Sequence, residues 1–315
     1  MIEVSKYLLI LLMAVYTFLN FSYFRFREEW GQIRVCRKQN AAMFLLHFVA
    51  YLILYLKSGE ERIVLFYLAQ VVFFASYIGL YQLFYPNLTR ILVNNMCMLL
   101  CVGWIILTRL SFEKAVRQFL IVCVAALVTW IIPFIIDRIW QLSRIPWVYG
   151  LLGLGLLIVV WIVGNNSYGA QLSVTLGGFS FQPSEFVKIS FVFFVAAVFY
   201  HSTDLVSVGV ATAVAAAHVL VLVLSKDLGS ALLFFVTYLT MLFVATSNWL
   251  YLLAGAAGGC GASVLAYQLF AHVRTRVAAW KNPWADIDNR GYQVAQSLFA
   301  IGTGGWFGMG LYQGM

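Results

Sequence analysis

Two ionisable side chains of opposite charge lie three residues apart at the start of a long apolar run. They are Glu185 and Lys188 in the segment GGFSFQPSEFVK, which continues as ISFVFFVAAVFY. Pro183 suits the first turn of a helix because it has no N–H to lose. Glu185 would then lie in that turn, where the helix dipole favours an anion, and Lys188 one turn deeper on the same face. Ionisable residues in a spanning helix usually face a partner or a watery cavity, so we predict that the pair lines a substrate cavity. The alternative is that Lys188 snorkels to the interface and Glu185 only caps the helix.

Three further residues complete the candidate cavity. Gln182 and Ser184 flank the proline in the same segment, and Asp227 lies in SKDLGS, between two apolar runs. Asp is a good N-cap for a helix that starts at Leu228. A cap and a place in the cavity are compatible, so both interpretations of Asp227 stay open.

The tail from residue 271 to 315 is too polar at first to be a span and too long to be a tight turn. His272, Arg274 and Arg276 give it a rim rich in hydrogen-bond donors, and Arg suits bidentate contact with phosphate. Asn282-Pro283 and Asn289-Arg290-Gly291 are turn signals. The tail ends in closely spaced glycines, which could form an anion-holding nest or simply a flexible end.

These segments belong to a chain that is 63% hydrophobic and only 10% charged over 315 residues. Long apolar runs predict an all-α polytopic membrane protein, and the alternation typical of a β-barrel is missing. At roughly 20 apolar residues per crossing we predict about ten transmembrane helices. They cover residues 4–24, 41–57, 62–84, 89–108, 115–136, 147–164, 184–200, 206–224, 229–246 and 250–270. The Gly-rich stretch 165–183 is expected to be a loop that could fold back into the membrane.

Composition also excludes several kinds of site. The net charge of +8 belongs to loops and lipid contacts, because no basic stripe with interleaved aromatics suggests nucleic-acid binding. The five cysteines are scattered and none forms a CxxC or Cys/His cluster, so neither a metal site nor a disulfide framework is indicated. No cofactor is indicated by the sequence.

Charge predicts the orientation of the spans. Residues 25–40, RFREEWGQIRVCRKQN, form the densest basic stretch, and we expect it to be a cytoplasmic loop. Alternation then places 165–183, 225–228 and everything after 271 outside, so the candidate cavity would face outward.

Three motifs resemble one family, the SEDS proteins (shape, elongation, division and sporulation) of the RodA/FtsW/SpoVE type. GGFSFQPSEFVK resembles the family's FQPSE-x-x-K signature, and SKDLGSALLF resembles its PDLG-T/S helix start. The tail resembles the large external loop, with the run GYQ-x-x-QS-x-x-AIG-x-GG-x-x-G-x-G. The resemblance implies three parts: extra amino-terminal helices in 1–88, a partial transmembrane core in 89–270, and the external loop in 271–315.

The resemblance implies a peptidoglycan glycosyltransferase of the bacterial cell membrane that works with a class B penicillin-binding protein. Family members join a sugar hydroxyl of one lipid-linked disaccharide precursor to the anomeric carbon of another, and the lipid pyrophosphate leaves. Glu185 and Lys188 match the family's cavity pair, and Arg274 and Arg276 are candidates for pyrophosphate contact. The family's essential Asp and its last spans lie beyond Met315, so no catalytic base is identified and this chain alone is expected to be inactive.

Two departures and two rival functions accompany this interpretation. Lys226 stands where the family usually has Pro, and Asn289 replaces a loop Gly. A flippase or transporter of the lipid-linked precursor would also suit an outward cavity, although the sequence lacks the internal repeat that transporters often show. The other rival is a non-catalytic membrane scaffold for a penicillin-binding protein. A role in elongation, division or sporulation is left open.

Overall fold

The computed structural model describes residues 2–138, 143–163, 165–167, 170–176, 179–311 and 313; for residues 2–4, 137, 163, 165–167, 170–176 and 179–181 only the backbone is described. Over these residues the chain is helical apart from one small sheet. The helices are α1 (Ile2–Tyr23), α2 (Glu29–Ser58), α3 (Glu61–Phe84), α4 (Arg90–Leu110), α5 (Phe112–Arg138), α6 (Pro146–Val163), α7 (Pro183–His201), α8 (Leu205–Leu224), α9 (Leu228–Thr246), α10 (Trp249–Leu269), α11 (Ala271–Lys281) and α12 (Tyr292–Gly304), with a 3-10 helix at Pro283–Asp286.

The predicted class is confirmed by the lengths and compositions of these helices. Within the described residues, nine helices are long and apolar enough to cross a membrane, and the apolar helix over Pro146–Ile162 in α6 is slightly shorter. Together they give the ten predicted crossings, and their boundaries fall within a few residues of the predicted ones except at the start of α2. The chain divides into two compact units, one of Met1–Phe134 and Tyr292–Met315, the other of Ile135–Gly291.

The first unit has an apolar core in which polar side chains are joined across helices. Gln70 of α3 is completely buried, and its Oε1 lies 3.0 Å from His47 Nε2 of α2. Its Nε2 donates to Tyr51 OH at 2.6 Å, and that hydroxyl lies 2.9 Å from Thr108 Oγ1 of α4. Because an unsatisfied polar group in an apolar interior costs free energy, these bonds fix the register of three helices against one another.

The expected cytoplasmic loop at 25–40 is mostly helix, which corrects the sequence-based boundary. α2 begins at Glu29, so residues 29–40 form an amphipathic extension of the spanning helix. Arg34, Arg37 and Lys38 are exposed, whereas Val35 and Cys36 are buried. The density of charged residues suggested a loop, because charged side chains are excluded from the apolar layer of a membrane. A helix can nevertheless continue beyond that layer when one of its faces still packs against the protein.

The second unit is built from antiparallel helices around an aromatic and aliphatic core that includes Phe191, Phe194 and Phe234. α6 packs on α7, α8 on α9 and α9 on α10, while α7 also packs on α9. The connections after α7, α8 and α9 are two or three residues long, so successive helices run in opposite directions. α7 and α9 therefore begin at the same end of this unit, where α6, α8 and α10 finish. We call it the α7/α9 end.

A three-stranded antiparallel sheet lies between α6 and α7, where the sequence predicted only a loop. Its strands are β1 (Asn165–Ser167), β2 (Ala170–Leu176) and β3 (Phe179–Phe181), in the order β1-β2-β3. β2 contacts both α6 and α7. The signal was present in the sequence: β2 alternates apolar and polar residues, and Gly-Gly separates it from β3, a combination typical of a hairpin.

Candidate functional site

The segments that carry the candidate site residues named from the sequence begin or end at the α7/α9 end of the second unit. The start of α7 carries Glu185 and Lys188, the turn between α8 and α9 carries Asp227, and α11 follows directly after α10. These segments are far apart in sequence, and the antiparallel packing alone places them at one end.

Glu185 and Lys188 form an ion pair on the first turns of α7. Lys188 Nζ donates to Glu185 Oε1 at 2.8 Å, an (i, i+3) contact on one helix face. The Glu185 side chain is 55% exposed within the protein and that of Lys188 is 32% exposed. Pro183 occupies the first turn, as predicted from its missing N–H. The pairing is thus observed, and its place in a substrate cavity stays a prediction.

Gln182 and Ser184 are engaged locally with each other. Gln182 is the N-cap residue of α7, and its Nε2 donates to Ser184 Oγ at 3.1 Å. Ser184 is buried and Gln182 half-buried. This contact holds the polypeptide just before Glu185 and leaves the carboxylate of Glu185 to its lysine partner.

Asp227 caps α9, as the residue type predicts. Its Oδ1 accepts from Ser230 N at 3.0 Å, whereas its Oδ2 is buried without a hydrogen-bond partner among the described residues. The neighbouring Lys226 has a positive φ of 63°, which L-residues rarely adopt. Proline cannot adopt this φ, so the chain turns here in a way that the proline of the resembling family would not permit.

The two arginines of α11 differ in what they contact. Arg274 Nη1 donates to the backbone oxygen of Gln268 at 2.6 Å, which satisfies a carbonyl in the last turn of α10. Arg276 is exposed, and within the described residues no carboxylate pairs with its guanidinium. Of the two pyrophosphate candidates, Arg274 is partly committed to the fold, whereas the guanidinium of Arg276 has no ion-pair partner among the described side chains.

His272 was named from the sequence only as part of a donor-rich rim, and the structure gives it a specific position. It lies half-buried in the first turn of α11, and among the described residues its buried Nε2 has no hydrogen-bond partner. Burial, followed by the positive charges of Lys226 and Arg276, holds the pKa of His272 below its ordinary value. His272 and Arg276 are four residues apart, about one helical turn, so the sequence already indicated that they lie on one face of a helix.

The turn signals of the tail are confirmed. α11 stops at Lys281, a 3-10 helix starts at Pro283, and α12 begins immediately after Gly291. A Cβ on Gly291 would meet the backbone oxygens of Pro283 and Asp286. Asn289, which stands in place of a loop Gly, does not have a positive φ, and its Nδ2 donates to Asp286 Oδ1 at 3.0 Å.

A comparison with protein families matches residues 89–315 to a profile described as cell cycle protein, FtsW/RodA/SpoVE. That match covers more than half of the sequence. The chain belongs to the FtsW/RodA/SpoVE family. With its apolar helices, it is a multi-pass bacterial membrane protein.

Several named members of the FtsW/RodA/SpoVE family are similar in sequence. The peptidoglycan glycosyltransferase RodA of Mycobacterium tuberculosis is 37% identical over 193 residues, which cover 55% of this chain and 41% of that protein. RodA of Mycobacterium leprae is 30% identical over 314 residues, covering 88% of this chain and 67% of that protein. A probable peptidoglycan glycosyltransferase FtsW of Geobacter sulfurreducens is 35% identical over 185 residues, covering 56% and 49%.

The chain thus spans between two fifths and two thirds of the length of these relatives. A chain in a solved structure of a peptidoglycan synthase complex has a TM-score of 0.49 and 24% identity to this one, over 76% of this chain and 66% of that chain. The family match begins at residue 89, and the division of this chain at residues 88 and 270 stays a prediction.

Proposed function

We propose that this member of the FtsW/RodA/SpoVE family binds a lipid-linked disaccharide precursor for peptidoglycan glycosyl transfer. The observation that carries the proposal is the Glu185–Lys188 ion pair at the start of α7, at the same end of one helical unit as Asp227 and Arg276. Family membership and relatives named peptidoglycan glycosyltransferase support the choice of substrate. We propose further that this end faces the outside of the cell membrane.

The chemistry of the reaction explains why such a set of residues would be useful. A sugar hydroxyl attacks the anomeric carbon of a second precursor, the bond from that carbon to the diphosphate oxygen breaks, and the hydroxyl proton passes to a base. Negative charge builds on the departing diphosphate, and cations placed at that oxygen stabilise the transition state. Lys188 and Arg276 supply positive charge, and Glu185 holds the Lys188 ammonium in place.

Precursor binding tests the proposal directly. We expect a photoreactive, polyprenyl-diphosphate-linked disaccharide to crosslink to the purified chain in nanodiscs, in competition with unlabelled polyprenyl diphosphate. Glu185→Gln should reduce crosslinking about tenfold, because Lys188 loses the charged partner that positions it. Glu113→Gln, at an exposed carboxylate in the first turn of α5, is the matched control and should leave crosslinking unchanged. Crosslinking no stronger than that of a phospholipid probe would contradict the proposal.

The same proposal includes a class B penicillin-binding transpeptidase as partner, supported by the motifs that this chain shares with the family. Co-purification of the chain with such a transpeptidase tests it. Because the partner would bind apart from the substrate, Glu185→Gln should leave co-purification intact while it lowers precursor crosslinking. Loss of both together would argue that the variant misfolds.

A further inference from the structure

We propose that a cleft at the turn between α3 and α4 binds the headgroup of an anionic phospholipid of the surrounding membrane. The cleft lies in the first unit, and none of the residues that line it belongs to the candidate site. The inference therefore goes beyond the proposed function and does not depend on it.

The cleft forms where two spanning helices meet at a membrane boundary. α3 ends at Phe84, α4 begins at Arg90, and residues 85–89 join them. The cleft has a volume of about 260 Å³, and its lining includes Tyr81, Gln82 and Tyr85 on one side and Arg90 on the other. Because the apolar lengths of both helices finish here, the cleft lies at the depth of the lipid headgroups.

Arg90 gives the cleft a cation that the protein leaves uncompensated. The residue is half-buried, and among the described side chains no carboxylate pairs with its guanidinium. A guanidinium can donate two parallel hydrogen bonds to the oxygens of a phosphate. The half-buried amide of Gln82 offers further donors on the opposite wall. A phosphodiester placed between them would gain both contacts.

The aromatic wall of the cleft is held in place by the fold. The rings of Tyr81 and Tyr85 lie with their centroids 5.6 Å apart, and Tyr85 OH donates to the backbone oxygen of Trp130 in α5 at 2.6 Å. Tyrosine is enriched at this depth of a membrane because its ring is apolar and its hydroxyl is polar. Beside this wall, Leu83 and Phe84 are exposed in the last turn of α3, where they would contact acyl chains.

The net charge at this end of the first unit favours an anionic headgroup over a zwitterionic one. α2, α3 and α4 run in alternating directions, and Asn94 Nδ2 of α4 donates to Cys36 O of α2 at 3.1 Å, so the start of α4 packs beside the basic part of α2. Against two carboxylates, Glu28 and Glu29, residues 24–40 and 90 contain the cations Arg25, Arg27, Arg34, Arg37, Lys38 and Arg90. Such basic clusters attract anionic lipids to a membrane surface.

Arg90 and Arg37 have different parts in this binding. Arg37 is exposed on α2, so it attracts anions in general and is screened by salt. Arg90 lines the cleft, so it contacts the bound headgroup directly. Replacing the two arginines in turn therefore separates a defined lipid site from a diffuse basic surface.

The test is native mass spectrometry of the full chain in nonionic detergent, titrated with dioctanoyl phosphatidylglycerol or dioctanoyl phosphatidylcholine. We expect the first phosphatidylglycerol to bind the parent about tenfold more tightly than the first phosphatidylcholine. Arg90→Gln should abolish this preference, whereas Arg90→Lys keeps the charge and should retain most of it. Gln82→Met removes the amide donor at similar volume and should weaken phosphatidylglycerol binding severalfold.

Two further arginines supply the controls. Arg37→Gln and Arg117→Gln remove the same charge at exposed positions of α2 and α5, and both should keep the preference of the parent. The lipid-free Arg90→Gln chain should keep the unfolding midpoint of the parent, because no carboxylate pairs with Arg90. If that midpoint falls, Gln82→Met decides the test. A preference that survives both Arg90→Gln and Gln82→Met, or that Arg37→Gln reduces as much as Arg90→Gln, would overturn the proposal.

A competition experiment separates a lipid headgroup from a free phosphate ester. We expect millimolar sn-glycerol 3-phosphate to leave bound phosphatidylglycerol in place, because the acyl chains add apolar contacts that the soluble ester lacks. Displacement of the lipid by this ester would assign the cleft to a soluble ligand and overturn the proposal of a lipid site.

Discussion

The Glu185–Lys188 contact at the start of α7 is short, yet its contribution to folding is small. Ion pairs with this degree of exposure contribute about 0.2–1 kcal/mol, because water solvates both groups and ordering two long side chains costs entropy. A large functional effect of removing either charge would therefore come from the substrate and not from stability. Stability and function can be separated at this pair.

Lys188→Met should lower the free energy of unfolding by less than about 1 kcal/mol while it lowers precursor crosslinking about tenfold. Arg117→Met, at an exposed cation in α5, should change neither. Thermal unfolding in detergent and crosslinking in nanodiscs measure the two effects on the same preparations. Equal and negligible effects of both substitutions would count against a functional role for the pair.

At the scale of the helices, α6, α7 and α8 approach closely because α6 presents glycines to its neighbours. A Cβ on Gly153 would lie 2.9 Å from both His218 Nε2 of α8 and Ser190 Oγ of α7. Gly150 faces Phe194 in the same way. His218 is completely buried with Nδ1 2.8 Å from the Val214 oxygen, so the close approach also confines a polar ring.

Gly153→Ala should destabilise the second unit by about 1–3 kcal/mol, because an added methyl group in this tight contact forces the side chains of two helices to shift. Gly155→Ala is the matched control on the same helix, where an added Cβ meets nothing within 4 Å. It should be neutral or slightly stabilising, since Ala has the higher helix propensity. Comparing the unfolding midpoints of the two variants tests this prediction. Similar midpoints would contradict it, because they would show that the side chains around residue 153 can shift to make room for the added methyl group.

For the whole molecule, the sign of charge in the loops predicts which end of the helices faces the cytoplasm. The basic residues near the start of α2 favour a cytoplasmic location for that segment. Counting the ten predicted crossings along the chain then places α11 outside the cell. This orientation is required by the proposed function, because the α7/α9 end carries the candidate site.

In a cysteine-free background, Lys281→Cys should react with a membrane-impermeant maleimide in intact spheroplasts. Arg27→Cys, between α1 and α2, should react only after permeabilisation, because it lies on the predicted inner side. Both positions are exposed in the protein, so accessibility is set by the membrane alone. The reverse pattern of labelling would place the candidate site in the cytoplasm and contradict the proposed function.

The sequence alone determined the class of this protein and its family, and it named candidate site residues whose role stays a prediction. These conclusions follow from local properties of the sequence. The length of an apolar run predicts a transmembrane helix, Pro183 and Asp227 mark the starts of helices, and the short family motifs occur in the expected order along the chain. The sequence did not reveal that α2 extends through a basic stretch, because one packed face at Val35 and Cys36 stabilises a helix that charge density alone disfavours.

Only the tertiary structure decided which of the two arginines of α11 is engaged by the fold. Arg274 and Arg276 are equivalent as residue types, yet Arg274 donates to the backbone oxygen of Gln268 in the last turn of α10, whereas Arg276 has no ion-pair partner among the described side chains. That distinction depends on the geometry of the turn between α10 and α11, which the periodicity of the apolar residues does not predict.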